Sequence, residues 1–191
     1  MENKLQEINK EAAINTSAAL TKLIGQPVSV VISNPEVKDV KDLSPAIGAE
    51  EIVAGVYLPI SGDVQGAALL IFPKETTFTL SDLLVRRPPG TTQELTELDK
   101  SALKEVGNII TGNYFTVLGN RLQAKIIENI PSFSFDMFGA ILNDIIVKFA
   151  QKAEKAIVIE VEFIFKPTKL TGRFLLLFEL GQIKAIMGGA L

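Results

Sequence analysis

The sequence predicts an α/β (α+β) fold: a pseudo-twofold duplicated domain in which two long amphipathic helices pack on an antiparallel sheet. Two repeated patterns carry that prediction. An amphipathic segment from Leu5 runs into a β-prone stretch at Val28–Ile32, and a similar segment starts at Leu103, so that a shift of 98 residues puts Leu5 on Leu103, Glu7 on Glu105 and Lys10 on Asn108. A β-hairpin recurs as well, with its glycines Gly66 and Gly172 at a separation of 106, so the second half carries about eight extra residues in its interior. Self-similarity of this kind is the mark of an αβ duplication whose halves share one sheet or one core. The expected organisation is a single domain over residues 1–191, made of repeats at about 1–75 and 99–180 joined by 76–98.

Each element has its own signal. In the first helix Leu5, Ile8, Ala12, Ala19 and Leu23 lie on one face. Val53 to Ile60, a turn at Ser61-Gly62-Asp63, and Gly66 to Phe72 read as the first hairpin. Ser81 to Val85 reads as a short helix, and Arg86-Arg87-Pro88-Pro89-Gly90 ends it. The second long helix is expected to start near Ser101. A further helix is expected over Ser134 to Ala153, with Phe135, Phe138, Leu142, Ile145 and Phe149 facing the core. Ala156 to Phe165, a turn around Lys166-Pro167-Thr168, and Gly172 to Phe178 read as the second hairpin.

Composition excludes several classes of function. The chain is 47% hydrophobic over 191 residues, enough for a sizeable core. Its net charge of -3 offers no basic face for nucleic acid, and no block of like charge reads as a membrane patch. The polar start from Met1 to Lys10 does not read as a signal peptide, and apolar runs such as Phe174 to Phe178 are far too short to span a bilayer. The expectation is a soluble, cytoplasmic protein with neither nucleic-acid nor membrane partners. There is no cysteine and no histidine. Thiol nucleophiles, thiolate metal sites and the commonest general base are therefore absent. Any catalysis must use carboxylates, amides, hydroxyls or lysines, or groups borrowed from a partner.

One stripe of the second long helix stands out. At about 100° per residue, Ser101, Glu105, Asn108, Gly112 and Phe115 fall within a narrow arc, opposite Leu103, Val106, Ile110, Tyr114 and Val117. The apolar side is expected to bury the helix and the other stripe to look outward. Solvated helix faces usually carry Lys, Glu and Gln; this one carries an acid, an amide, a glycine and a phenylalanine. Gly112 costs the helix about 1 kcal/mol relative to alanine and would admit a close neighbour. Phe115 is expected to offer apolar area to a partner. Alone, a Glu/Asn pair three residues apart is an ordinary solvated surface.

The longer pattern is more specific. Ser101, three residues, Glu105, two residues and Asn108 are followed by Pro131, with 22 residues between Asn108 and that proline. This resembles the signature of the CheC, CheX and FliY phosphatases, as does the surrounding KEVGNIITGNY from Lys104 to Tyr114. The resemblance covers nearly the whole chain, including the hairpin LPISGDVQGAALLIFP from Leu58 to Pro73, and the length favours the CheC branch. It implies a phosphatase for the aspartyl phosphate of a CheY-like receiver domain, which brings its own Mg²⁺ and active-site lysine, so that no cofactor or metal of the chain's own is expected. Asn108 is then the residue that orients the attacking water. Glu105 pairs with the receiver's lysine, with a general-base role as its alternative. Ser101, Gly112, Phe115 and Pro131 are expected on the partner-binding side, Pro131 by fixing a loop.

The first repeat departs from the pattern: Glu7 is kept, but Asn3, Lys10, Ile14 and Ser33 stand at the serine, asparagine, glycine and proline positions, with Pro35 close by. Function is therefore expected on the second helix only, with Glu7 and Lys10 forming a weak surface ion pair. The resemblance leaves two other readings open. One is a non-catalytic receiver-binding module like the middle domain of the flagellar switch protein FliM. The other is a regulatory partner of the deamidase CheD, with the segment from Thr79 to Arg87 as a docking surface.

Overall fold

The computed structural model describes residues 2–34, 36–39, 42, 48–149, 155–165 and 168–178. In chain order these form helix α1 (Glu2–Ile24), strands β1 (Ser29–Ile32) and β2 (Glu36–Asp39), and the hairpin β3 (Ile52–Gly62) and β4 (Gly66–Pro73). Helices α2 (Lys74–Leu84) and α3 (Glu97–Leu122) follow, then strands β5 (Ile126–Glu128) and β6 (Ser132–Met137) and helix α4 (Phe138–Phe149). A second hairpin, β7 (Lys155–Phe165) and β8 (Thr168–Phe178), completes the fold.

All eight strands join one antiparallel sheet in the order β1-β7-β8-β4-β3-β5, with β2 also on β7 and β6 also on β3. The short strands are therefore exchanged between repeats: β1 and β2 border the long strand of the second, and β5 and β6 that of the first. Leu69 on β4 pairs with Leu175 on β8, and these two residues have the same separation of 106 that relates Gly66 to Gly172. Each is thus the other's repeat counterpart, and the pair sits on the pseudo-twofold axis. The symmetry reaches the edges. Four residue steps from Ile32 to Glu36 face three on β7, and four from Glu128 to Ser132 face three on β3, so each edge carries one extra residue.

Helices cover both faces, which is why β4 reads as a continuous apolar run rather than an alternating one. Ala54, Val56, Leu58, Ile60, Leu70 and Phe72 lie in the core shared with α1 and α3. Val53, Leu69 and Ile71 lie in the opposite core with Phe138, Ile141, Leu142 and Ile145 of α4.

Local readings differ from the expectations in several places. On α1 the buried face after Ala12 runs through Thr16, Leu20 and Ile24 at four-residue steps, whereas Leu23 is 38% exposed; the side chain of Leu5 lies outside the described residues. The short helix expected at Ser81 is the last turn of α2, which begins seven residues earlier, directly after β4. Its stop is where the sequence puts it, with Arg86 in the left-handed region at φ 59. Ser132–Met137 is a strand, not the start of a helix. Its Ser-Phe-Ser-Phe-Asp-Met alternation has period two, and pairing with Ile52–Tyr57 puts Phe133 and Phe135 on the α3 side of the sheet. Helix α4 begins only at Phe138, and the side chain of Phe149, like the turn residues Lys166 and Pro167, lies outside the described residues. Strand β8 begins at Thr168, ahead of Gly172.

Candidate functional site on helix α3

Helix α3 starts one turn before Ser101, because Thr96 and Asp99 form a reciprocal capping box that satisfies the first free amides. Asp99 is fully buried and also receives Ser81 Oγ and the Arg87 guanidinium, whose Nη1 is 2.8 Å from Oδ1. Burial acts to raise its pKa, and the hydroxyls of Ser81 and Thr96 with Arg87 outweigh it, holding the carboxyl well below the usual range. Asp82, equally buried, accepts from the amides of Thr91 and Thr92 and from the Thr92 hydroxyl. Together these bonds tie α2, the connecting loop and the start of α3 into one unit. Within the segment expected as a docking surface, Thr79 to Arg87, the side chains of Leu80, Ser81 and Asp82 are buried and Arg87 is engaged by Asp99, while Arg86 is exposed.

Beyond this start, α3 lies close on β3. A Cβ at Gly107 would stand 2.6 Å from Val56 Cγ1, so only glycine permits this approach. Close contact of Gly107 with the sheet turns its neighbour Asn108 to the rim of the buried face, half-buried, while Ser101 and Glu105 are exposed. No hydrogen bond or ion pair from another described residue holds the Glu105 carboxylate or the Asn108 side-chain amide. An acid and an amide one turn apart on the same outer face are thus both free to meet a partner.

Phe115 does not belong to this surface. It is 3% exposed, and its ring packs against Tyr114 and Phe174 at centroid separations of 6.1 and 6.3 Å. The helical wheel places it in line with Asn108, but the ring turns in against Phe174 of β8, so the buried arc is wider here than the wheel gives. An exposed apolar group is found instead at Ile130, 89% exposed beside Pro131. Pro131 itself lies between β5 and β6, where the one-residue excess leaves an edge position that needs no amide hydrogen. The register also revises the match made for the first repeat. Ser33 corresponds to Asn129, since their amides bond to Glu160 and Pro59 in the same way, both at 2.9 Å; Pro35 lies outside the described residues.

Gly112 is not a close-approach position. A Cβ there would be 3.7 Å from Glu128 Oε1, an ordinary contact. What it leaves room for is the Glu128 carboxylate, which sequence reasoning missed. Burial pushes the Glu128 pKa up to about 7, against the opposing influence of the Thr111 hydroxyl. On the other side of the stripe, Lys74, Phe78, Lys100, Phe133 and Phe135 line a groove, with Lys74 Nζ 5.6 Å above the Phe78 ring. The phenylalanines of β6 could have been found by their period-two spacing.

The first-repeat counterpart is occupied differently. Glu7 does not pair with Lys10; its Oε2 is 3.5 Å from Arg121 Nη1, and Glu11 Oε2 is 3.0 Å from Arg121 Nη2. Arg121 stands near the end of α3, so this acid is engaged between the two helices.

A family model described as the CheC-like family matches residues 98–132, the span from the start of α3 through Pro131. The CheY-P phosphatase CheC of Bacillus subtilis is 26% identical over 159 residues, 82% of this chain and 76% of that protein. Among solved structures, FliY of Thermotoga maritima superposes with a TM-score of 0.78 at 17% identity, covering 98% of this chain and 94% of that one. CheX in the CheX–CheY–BeF3–Mg2+ complex of Borrelia burgdorferi gives a TM-score of 0.56 at 20% identity, covering 90% and 98%. The fold is thus shared with FliY and CheX. Among the described residues no helix is long and apolar enough to cross a membrane.

Proposed function

We propose that this chain, a CheC-type protein, is a phosphatase that hydrolyses the aspartyl phosphate of a CheY-like receiver in chemotaxis. The observation that carries the reading is the pair of unengaged side chains, Glu105 and Asn108, one turn apart on the outer face of α3. The receiver supplies the phosphorylated carboxylate, its lysine and its Mg²⁺, and both proteins work in the cytoplasm.

Hydrolysis then needs a water in line with the bond between phosphorus and the acyl oxygen. Positioning provides much of the acceleration in phosphoryl transfer. The Asn108 amide is neutral and carries both donors and an acceptor, so it can hold that water without repelling the phosphoryl oxygens. The Glu105 carboxylate, exposed a turn earlier, meets the receiver's lysine and sets the docking register. Water attacks phosphorus, the acyl oxygen–phosphorus bond breaks, and the receiver's aspartate leaves as a carboxylate with inorganic phosphate as the other product. Ser101 and Ile130 flank the contact.

The test is the decay of acyl phosphate on a cognate receiver under saturating phosphatase, paired with binding to the BeF3-activated receiver. Asn108→Ala should remove most of the rate, about 100-fold for loss of a water-positioning group, while binding stays within about twofold. Wild-type decay in the presence of Asn108→Ala protein would overturn the reading.

A further inference from the structure

The pseudo-twofold allows the two copies of the site to be compared inside one chain, and they differ at one facing pair of helix and strand positions. In the hairpins Ile60 faces Gly66 and Val161 faces Gly172, which makes Ile60 and Val161 counterparts. Their edge-strand partners, Glu128 and Ile32, are therefore counterparts too. Across from them on the helices stand Gly112 and Ile14. In the first repeat Ile14 and Ile32 line one groove beside Lys10. In the second, two isoleucines are replaced by a glycine and a carboxylic acid, the acid filling the room the glycine leaves. A packing requirement alone gives no reason to put an ionisable group there.

As a carboxylate the acid would also leave one oxygen unsatisfied. Glu128 Oε1 is buried without a hydrogen-bond partner. The adjacent Thr111 hydroxyl gives its hydrogen to the Gly107 carbonyl at 2.8 Å, with the Asn108 carbonyl at 3.3 Å. An ionised oxygen left bare in this way is costly. A neutral carboxyl has an O–H to donate to Thr111 Oγ1, and completes a chain from Glu128 through Thr111 to the carbonyls of the turn that carries Asn108.

We propose that Glu128 is a positioning residue of the Asn108 site, a neutral acid that anchors the Asn108 turn through Thr111 and keeps a second negative charge away from the phosphoryl group. The inference rests on the phosphatase reading and adds a regulation to it. Asn108 and Gly112 are four residues apart on α3, neighbours on one helix face with Cβ positions roughly 5–6 Å apart, and the Glu128 carboxyl lies 3.7 Å from the Cβ position of Gly112. The elements packed around Glu128 bring few competing charges. On the same face α3 carries Glu105 two turns away, and β3 presents Ile60, while Tyr57 sits in the core of the opposite sheet face. On the other side Lys125, exposed, stands three residues before Glu128, where its amide bonds the exposed Asp63 carboxylate, and beyond Glu128 the next titratable residue is Asp136, at the far end of β6. Ionisation of Glu128 would draw the Thr111 hydrogen away from the Asn108 turn and place a charge near the phosphoryl oxygens. Since its pKa is raised to about 7, the active neutral form predominates below that pH and is lost above it.

The experiment is single-turnover decay of receiver acyl phosphate from about pH 6 to about pH 8.5, each rate corrected for decay of the receiver alone, with carboxyl NMR of the free protein across the same range. Wild type should lose activity several-fold on the alkaline side, in step with a titration of Glu128 near neutrality. Glu128→Ala should lower kcat about fivefold on the acid side of pH 7, the equivalent of one lost hydrogen bond, with KM unchanged, and should show no further fall on the alkaline side, where the two proteins converge. Glu128→Gln keeps a donor and no charge, and should recover the rate lost in the alanine variant while also lacking the alkaline fall. If Glu128→Gln keeps the wild-type fall, or Glu128 titrates in the ordinary carboxylate range, the inference is overturned while the phosphatase reading stands. Absence of any acceleration by wild type at every pH overturns both.

Discussion

Gly107 of α3 and Val56 of β3 are in direct contact, with only 2.6 Å between the place a Cβ would take and Val56 Cγ1. That contact sets how deeply the helix sits on the sheet, and so where its next residue, Asn108, meets solvent. Gly107→Ala must push helix and strand apart, and should destabilise the protein by about 1–3 kcal/mol. Gly112→Ala, five residues on, meets only an ordinary contact and gains helix propensity, so its stability should be unchanged or higher by about 0.5–1 kcal/mol. Denaturant unfolding of the two variants distinguishes them, and equal losses would refute the assignment of Gly107 as the close-approach residue.

A second prediction concerns Asp99. A carboxylate held below its usual range contributes stability that is fully present above the unfolded-state pKa of about 4 and is lost as pH falls through the folded value. Stability should therefore decline progressively below about pH 4, and Asp99→Asn should show a smaller decline. At neutral pH the same variant leaves Arg87 facing a neutral group in a buried network and should cost about 2–4 kcal/mol. Thermal melting at neutral and acid pH measures both effects. An acid limb unchanged in Asp99→Asn would place its origin elsewhere.

The duplication, the two hairpins and the acid–amide pair were all legible in the sequence, because each rests on local periodicity or on a repeat offset. What was not legible depends on neighbours distant in sequence. The alternation Ser132–Met137 was readable as period two, yet the phenylalanines at Phe135 and Phe138 also suit a helical face; the pairing with β3 decides between them. Phe115 lies on the outward arc of a single helix, and its packing against Phe174, distant in sequence on β8, makes that position internal. Glu128 carries no motif at all. Its place beneath Gly112 follows from an edge-strand register, which sequence spacing does not reveal.

Phe115 supplies a direct check on that correction. As a 3% exposed side chain packed against Tyr114 and Phe174, it should behave as core. Phe115→Ala should destabilise by about 3–5 kcal/mol, the usual loss for truncating a buried aromatic ring. Ile130→Ala, at an 89% exposed position, should leave unfolding unchanged to within about 0.5 kcal/mol and weaken receiver binding instead. A reversal of these two results would return Phe115 to the partner surface.

The last prediction compares the two glutamates that the duplication makes equivalent. Glu7 and Glu105 fall at the same repeat position, but Glu7 is engaged with Arg121 at 3.5 Å and Glu105 has no such partner among the described residues. An acid already neutralised by its own chain has less to offer an incoming lysine, and beside it stands Lys10 where the second helix has Asn108. An ammonium carries no acceptor for orienting water and would repel the receiver's own lysine. Glu7→Ala should accordingly leave receiver dephosphorylation within about twofold of wild type. It should also change stability by less than about 1 kcal/mol, since the pair is exposed and Glu11 continues to hold Arg121. Glu105→Ala should weaken receiver binding about tenfold and slow the reaction as well, because a charge pair to the partner is lost both at docking and in the transition state. Combined with Asn108→Ala, its loss should fall short of the sum of the two single losses, as expected of groups acting on one assembled site. Titration of each variant against the BeF3-activated receiver, alongside acyl-phosphate decay, separates the two helices; a large loss of rate in folded Glu7→Ala protein would show that α1 takes part.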